Sequence, residues 1–146
     1  MAKLTRIDVL IITSDADGAG TDGDVYLGIC GREFFVDSSA DDFERSSSKT
    51  YTFGDGSNVN NASMNDPREQ NLLEEDADRY PVYIRFEQFG ASSPWKLLQA
   101  RVTLNQNAFP LWETISVVPA QRPDMGIWLG RRAGEIIHIP KHDETI

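Results

Sequence analysis

Residues 11–29 read I-I-T-S-D-A-D-G-A-G-T-D-G-D-V-Y-L-G-I, in which two apolar runs enclose an acidic, glycine-rich stretch. Between positions 15 and 24 this stretch carries four aspartates, three glycines and no basic residue. Glycines let a backbone turn sharply and bring carbonyl oxygens close to a bound group. Calcium takes roughly 6–8 oxygen ligands, which carboxylates and carbonyls supply. The pattern therefore predicts a calcium-binding loop between two strands.

Other motifs fit some of the same letters. The glycines at positions 18–23 spell the dinucleotide-binding pattern G-x-G-x-x-G, but the residues that follow favour a strand over the required helix. An EF-hand loop starting at Asp15 would place Ala19 and Tyr26 at ligand positions. A calcium β-roll would repeat its motif, and this chain shows it once. A solvated acidic turn without a ligand stays open, because Asp and Gly are ordinary turn residues.

A second acidic stretch, D-S-S-A-D-D-F-E at positions 37–44, also contains four acids and no basic residue before Arg45. In a sandwich whose hairpins turn at the same end, two such loops can meet and share ions. Crowded carboxylates need a counter-charge, because like charges a few ångströms apart repel. We therefore predict that stretches 15–24 and 37–44 converge and bind calcium.

Composition limits the classes of protein to which the chain can belong. With 146 residues it is suited to one domain, expected to span residues 1–146. A net charge of −9 argues against nucleic acid as a partner, because the phosphates would be repelled. Cys30 is alone, which excludes an internal disulfide framework and predicts a small buried residue. The opening M-A-K-L-T-R lacks the apolar run of a signal peptide, so the expected location is cytoplasmic or peripheral to a membrane.

The dominant hydrophobic period is two, which is typical of half-buried strands. Short apolar runs separated by turn signals predict an all-β sandwich or barrel, and they cover residues 6–12, 25–29, 34–36, 51–53, 82–87, 98–104, 115–118 and 135–139. The alternation predicts buried side chains at Val82, Ile84, Phe86, Val102 and Leu104. A polar insertion at about 55–79 interrupts the strands, and a capping signal within it predicts a short helix over residues 66–77.

With both acidic stretches placed between strands, the chain resembles the PLAT/LH2 domain, a sandwich module of lipoxygenases, lipases and the C-terminal part of clostridial alpha-toxin phospholipases. Four blocks carry the resemblance. The first two are the opening stretch, which contains G-A-G-T-D and then V-Y, and D-D-F-E-R-S-S-S-K-T-Y-T-F at positions 41–53. The third is residues 81–104, which contain the P-W-K-L-L-Q-A-R-V strand, and the fourth is I-W-L-G at 127–130.

The resemblance implies an eight-stranded antiparallel β-sandwich of two four-stranded sheets, with calcium bound between loops at one end. The family's ligand positions fall on six residues of the two acidic stretches: Gly20, Thr21, Asp22, Asp37, Ala40 (through its carbonyl) and Asp42. Asp15 and Asp17 lie where neighbouring ligands vary among family members. The third loop departs from the family pattern, because F-E-Q-F-G-A-S-S-P at positions 86–94 contains no aspartate.

The resemblance points to calcium-dependent docking onto a phospholipid membrane surface. Phe89 at the apex of the third loop is the candidate for membrane contact. The alternative is a module of the same fold that binds a protein partner, with calcium structural or absent. No G-x-S-x-G or H-E-x-x-H motif occurs, and His138 and His142 lie in a strand and near the C-terminus, so we expect no enzymatic activity.

Overall fold

The alternation of apolar and polar side chains along the first strand decides which of its faces is buried. In a computed structural model that describes residues 2–88, 90, 92–114 and 121–143, β1 spans Arg6–Thr13. Ile7, Val9 and Ile11 are buried, while the intervening side chains are half-buried. One face of β1 therefore packs into the core, as the period of two predicts.

The described residues form ten strands and two short 3₁₀ helices. The strands are β1 (Arg6–Thr13), β2 (Asp24–Ile29), β3 (Arg32–Phe35), β4 (Ser48–Gly54), β5 (Tyr83–Glu87), β6 (Trp95–Leu104), β7 (Leu111–Glu113), β8 (Ile127–Leu129), β9 (Ile136–His138) and β10 (Lys141–His142). The helices span Pro67–Gln70 and Glu74–Asp78. No helix among these residues is long and apolar enough to cross a membrane.

All strand pairs are antiparallel and belong to two sheets. One sheet has the order β10-β7-β6-β1-β4, with β8 also paired to β6, and the other has the order β3-β2-β5-β9. Apolar side chains of both sheets form one buried cluster that includes Val9, Leu27 and Ile84. All five residues whose burial was predicted from alternation are buried. The sandwich prediction is confirmed at this level.

The predicted count of eight strands in two four-stranded sheets is wrong, because the described residues form sheets of six and four strands. The three strands beyond the apolar runs are β7, β8 and β10, each of three residues or fewer. Strands this short contain too few residues for an alternation of apolar and polar side chains to be recognised in the sequence. β7 and β8 pair with different parts of the ten-residue strand β6, so one sheet edge is divided between them. The strand predicted at 115–118 lies outside the described residues.

The polar insertion contains two short helical turns instead of the single helix predicted over 66–77. Asp66 does cap the first turn, since its side chain accepts a hydrogen bond from the Arg68 backbone N–H. That turn ends at Asn71, whose φ of 53° is left-handed and cannot continue a helix. Buried Asn65 accepts a hydrogen bond from the Phe35 backbone N–H, which ties the insertion to β3.

Three loops meet at one end of the sandwich. Loop 1 (residues 14–23) joins β1 to β2, loop 2 (36–47) joins β3 to β4, and loop 3 (88–94) joins β5 to β6. Ile12 near the end of β1 pairs with Ser48 at the start of β4, which places loops 1 and 2 at the same end. Asp24 at the start of β2 pairs with Glu87 at the end of β5, which adds loop 3.

Candidate calcium site

Loops 1 and 2 approach each other closely at Gly20. A Cβ atom at this position would lie 2.8 Å from the backbone nitrogen of Arg45, so a side chain would push the loops apart. Next to it, the Thr21 backbone N–H donates a 3.1 Å hydrogen bond to the Phe43 carbonyl. The predicted convergence of the two acidic stretches is therefore present in the fold.

Phe43 anchors loop 2 at this contact. Its ring is buried, with centroids 5.6 Å from Tyr51 and 5.4 Å from Trp95. Its backbone has a φ of 62°, which is uncommon for a bulky side chain and is maintained by the surrounding contacts. With the Phe43 ring directed into the core, the flanking acids Asp41 and Glu44 remain exposed at the surface.

Three exposed acids from the two loops form the centre of the site. Carboxylate oxygens of Asp22, Asp41 and Glu44 all lie within 4.8 Å of one another. The pKa of Glu44 is raised, first by loss of hydration and then by a hydrogen bond with Asp41 and by the negative charges of Asp41 and Asp22. Oxygens bound to one calcium ion lie at most about 5 Å apart, since each is roughly 2.3–2.6 Å from the ion. The spacing, donor type and mutual repulsion of the acidic triad fit a calcium ion.

A cavity of about 170 Å³ extends from this triad between loops 1 and 2. Five of the eight predicted ligand residues line it: Thr21, Asp22, Asp37, Ala40 and Asp42. Asp24 lines it as well, and loss of hydration together with the Glu87 and Asp37 charges raises the pKa of Asp24. The Asp37 carboxylate accepts a 2.9 Å hydrogen bond from the Asn60 side chain, so the polar insertion holds this wall. Acidic side chains outside the triad, such as Asp24 and Asp37, therefore also line this cavity.

Asp42 lines the same cavity, but its carboxylate is bound by protein donors. Asp42 Oδ2 accepts a 2.7 Å bond from the Ser38 backbone N–H, and Oδ1 accepts bonds of 2.7 and 2.9 Å from the Ser38 and Tyr51 hydroxyls. Lys49 Nζ lies 3.6 Å from Oδ1, and the Asp42 side chain is only 6% exposed. These contacts give Asp42 a structural role, because they tie its carboxylate to Ser38 of the same loop and to Tyr51 of β4.

Asp15 and Asp17 do not line the cavity, although both belong to the same stretch as Asp22. Arg45 Nε donates to Asp15 Oδ1 at 3.0 Å, and Arg45 Nη1 donates to Asp17 Oδ1 at 2.8 Å. The hydrogen bond from Ser46 and then the one from Arg45 lower the pKa of Asp15. In this arrangement a basic side chain already neutralises the two acids.

Loop 3 contributes backbone and hydroxyl contacts to the site. The Thr21 hydroxyl donates a 2.6 Å hydrogen bond to the Ser93 carbonyl, and the Ser93 hydroxyl donates one of 2.6 Å to the Gly20 carbonyl. The predicted ligands Gly20 and Thr21 are therefore held against loop 3. Phe89, the predicted membrane contact, lies outside the described residues, and its role stays a prediction.

The ligand set carried over from the resemblance does not include three acids that the structure places at the cavity or in the triad: Asp24, Asp41 and Glu44. The signal was present, because all three belong to the two acidic stretches. What a sequence does not show is which carboxylates a loop directs outward. Here the buried ring of Phe43 separates the hydrogen-bonded Asp42 from the exposed Glu44.

No protein-family model and no curated protein matches the chain. Similar solved structures include the alpha toxin of Clostridium absonum, with 23% identity and a TM-score of 0.63 over 95% of this chain and 32% of the toxin. An alpha toxin from an avian strain of Clostridium perfringens has 22% identity and a TM-score of 0.62 over 94% of this chain and 32% of that one. Coral 8R-lipoxygenase, described in terms of calcium activation via a C2-like domain, has 14% identity and a TM-score of 0.55 over 93% and 17%.

This chain thus spans about a third of the toxin chains and a smaller share of the lipoxygenase. At these identities the similarity is one of fold. The two antiparallel sheets, with their loops meeting at one end, agree with the sandwich that the resemblance implies. The chain has a PLAT/LH2-like fold.

Proposed function

We propose that this chain is a calcium-binding module that docks onto lipid or membrane surfaces when calcium is present. The observation that carries the proposal is the acidic triad of Asp22, Asp41 and Glu44, which two separate loops bring within 4.8 Å. The coral lipoxygenase of similar fold supports it, since that enzyme is described as activated by calcium via a C2-like domain.

The charge of the chain explains why docking would depend on calcium. With a net charge of −9 and acids crowded at the loop end, contact with anionic lipid is repulsive. Asp22, Asp41 and Glu44 would hold the ion, with Asp37 and the Ala40 carbonyl at the cavity wall. Bound calcium would supply positive charge and open coordination positions for phosphate oxygens. We propose a binding role without catalysis, at the periphery of a membrane.

Co-sedimentation with phospholipid vesicles tests the proposal directly. We expect retention at millimolar calcium and loss of retention when a chelator is added. A calorimetric calcium titration of the same preparation, without vesicles, reports ion binding separately. Calcium binding without vesicle retention would contradict lipid docking, and absence of calcium binding would contradict the metal site itself.

A second candidate function is docking of a protein partner, and one feature of the outer sheet face favours it. Tyr26 and Phe35 stack with ring centroids 5.2 Å apart and line a cavity of about 350 Å³. Met64 lines the same cavity and is 80% exposed. If calcium binds but no vesicle retains the protein, this surface becomes the better explanation of function.

A further inference from the structure

Most basic side chains of this acidic protein are paired with acids. Of the fourteen Lys and Arg residues, eight form salt bridges in the described structure: Arg6, Arg45, Lys49, Arg68, Arg79, Arg85, Arg101 and Lys141. The six others have no carboxylate partner within the described ranges: Lys3, Arg32, Lys96, Arg122, Arg131 and Arg132. Four of these six belong to one region, the strand β8 and its surroundings.

This region combines cations with an exposed aromatic ring. Trp128 on β8 is 36% exposed, although Trp95 and Trp112 are buried. Lys96 lies opposite Trp128 in the sheet, with Nζ 5.7 Å from the ring centroid. Arg131 and Arg132 line a cavity of about 620 Å³ together with the Trp128 side chain. We refer to Lys96, Trp128, Arg131 and Arg132 as the β8 patch.

The β8 patch lies beside the end of the sandwich that carries the acidic triad. Loop 3 connects the two, because Ser93 contacts Gly20 and Thr21 while Gln88 accepts a 3.1 Å hydrogen bond from the Arg131 backbone N–H. A second connection is the 2.6 Å hydrogen bond from the Asp15 backbone N–H to the carbonyl of Pro123, in the segment that leads into β8. The β8 patch and the loop that carries Asp22 are therefore neighbours in the fold.

We propose that the β8 patch binds the headgroups of anionic phospholipids in a bilayer, an inference that rests on the proposed function and adds the lipid class. Guanidinium groups pair with phosphate oxygens in a planar, often bidentate geometry. Tryptophan is enriched at membrane interfaces, where its ring meets the headgroup region. The patch is positive within a chain of net charge −9, so its charge complements an anionic surface where most of the protein does not.

Vesicle binding with two charge-matched variants tests this inference. Arg131→Gln/Arg132→Gln removes two cations from the patch. Lys3→Gln/Arg32→Gln removes two cations near the opposite end of the strands that likewise lack a carboxylate partner in the described structure, although Arg32 donates a hydrogen bond to Gln70. Each basic residue near an anionic membrane contributes roughly fivefold in affinity, so the patch variant should bind phosphatidylserine-containing vesicles about twenty-fivefold more weakly in calcium. The control variant should bind these vesicles as the wild type does. On pure phosphatidylcholine vesicles all three proteins should bind alike.

Arg131 also donates a hydrogen bond to the Gln88 carbonyl, so its substitution can lower the stability of the fold. If the double variant has a lowered melting temperature, the single variant Arg132→Gln replaces it in the vesicle experiment. It should lose about fivefold of the anionic preference. Brominated lipids give an independent readout, because quenching of tryptophan fluorescence should disappear in Trp128→Phe while Trp95 and Trp112 stay buried. Raised ionic strength should remove the anionic preference of the wild type.

The possible results separate this inference from the proposed function. If both double variants bind anionic vesicles like the wild type, the β8 patch inference is wrong while calcium-dependent docking stands. If anionic vesicles retain the wild type in chelator at low salt and fail to retain the patch variant, the inference holds even where calcium adds nothing. Retention by no vesicle under either condition overturns both.

Discussion

At the scale of single residues, aspartates of the same two loops have different tasks because their surroundings differ. Asp22 is exposed and lies within 4.8 Å of two other carboxylates. Asp17 is fully exposed but bonded to Arg45, and Asp42 is bound by Ser38 and Tyr51. The carboxylates of the two loops therefore differ in how many protein donors they already accept from.

We expect Asp22→Asn to lose most of the calcium-dependent rise in melting temperature. Calcium that binds only the native state at a hundredfold excess over its dissociation constant adds about 2.7 kcal/mol of stability in the wild type. Asp17→Asn is the matched control, because it removes the same charge from the same loop outside the cavity. Thermal unfolding with and without calcium measures both. Equal calcium responses in the two variants would contradict the site.

Asp42→Ala should destabilise the fold with or without calcium. The substitution leaves the Ser38 N–H and the buried Tyr51 hydroxyl without their acceptor, which should cost about 2–4 kcal/mol. Tyr51→Phe removes only one of these bonds and should cost about 1 kcal/mol. Denaturant unfolding in chelator measures both. An Asp42→Ala variant with wild-type stability in chelator would show that Asp42 acts only through the ion.

The raised pKa of Glu44 gives a pH dependence of defined sign. Because the native state holds this proton more tightly than the unfolded chain, calcium-free stability should rise as pH falls from 7 through the raised pKa. Glu44→Gln lacks this group, so in chelator it should be more stable than the wild type at pH 7 and lose that advantage as pH falls through the raised pKa. Calcium should reverse the order at pH 7. A pH-independent difference in melting temperature would contradict the assignment.

At the scale of elements, the strands act as fixed supports for the loops. β2 pairs with β3 and β5 in one sheet, and β1 pairs with β4 and β6 in the other, so within each sheet the strands that flank loops 1, 2 and 3 are directly hydrogen-bonded. Gly20 then permits the backbone contact that brings loop 1 against loop 2. The paired strands and the contact at Gly20 therefore fix the positions of loops 1 and 2, and with them the spacing of the triad.

Ile84→Ala in β5 should cost about 2–5 kcal/mol of unfolding free energy, because the side chain is fully buried in the core. Ile136→Ala in the adjacent strand β9 makes the same chemical change at a side chain that is 49% exposed. That control should cost less than about 1 kcal/mol. Denaturant unfolding of both variants measures the difference. Similar losses in the two would show that β5 does not carry the core as described.

At the scale of the whole molecule, charge is divided between two neighbouring surfaces. The loop end carries the acidic triad and the acidic cavity, and the β8 patch beside it carries unpaired cations and Trp128. Calcium would make both surfaces compatible with phosphate. Peripheral membrane attachment usually needs two weak signals, and under the proposed function these adjacent surfaces would supply them.

Phe89→Ala should weaken calcium-dependent vesicle binding while calcium affinity stays nearly unchanged. An aromatic side chain on loop 3 would add apolar contact with the bilayer interface without supplying an oxygen ligand. Vesicle co-sedimentation and a calcium titration of the same variant separate the two effects. Unchanged vesicle binding would remove Phe89 from the membrane contact and leave the β8 patch as its aromatic element.

The strands that could be predicted from the sequence are those in which apolar and polar side chains alternate over several residues between turn residues. β5 and β6 followed from their alternating apolar side chains, and both strands bury the residues expected. β7, β8 and β10 were not predicted, because each has at most three residues and lies outside the apolar runs from which the other strands, including the short β9, were predicted. The helix predicted over 66–77 failed because Asn71 adopts a left-handed conformation that its capping signal does not reveal.

The sequence by itself determined an all-β sandwich or barrel and two acidic stretches between strands, since hydrophobic period and turn residues are local properties. The meeting of the two loops at one end was predicted only with the sandwich that the resemblance implied. Only the tertiary structure decided that Asp22 meets Asp41 and Glu44, that Arg45 pairs with Asp15 and Asp17, and that Ser38 and Tyr51 bind Asp42. It also decided that Trp128 stays exposed beside cations that have no carboxylate partner in the described structure. The physical reason is that the partners of a charged side chain come from distant parts of the chain, which only packing brings together.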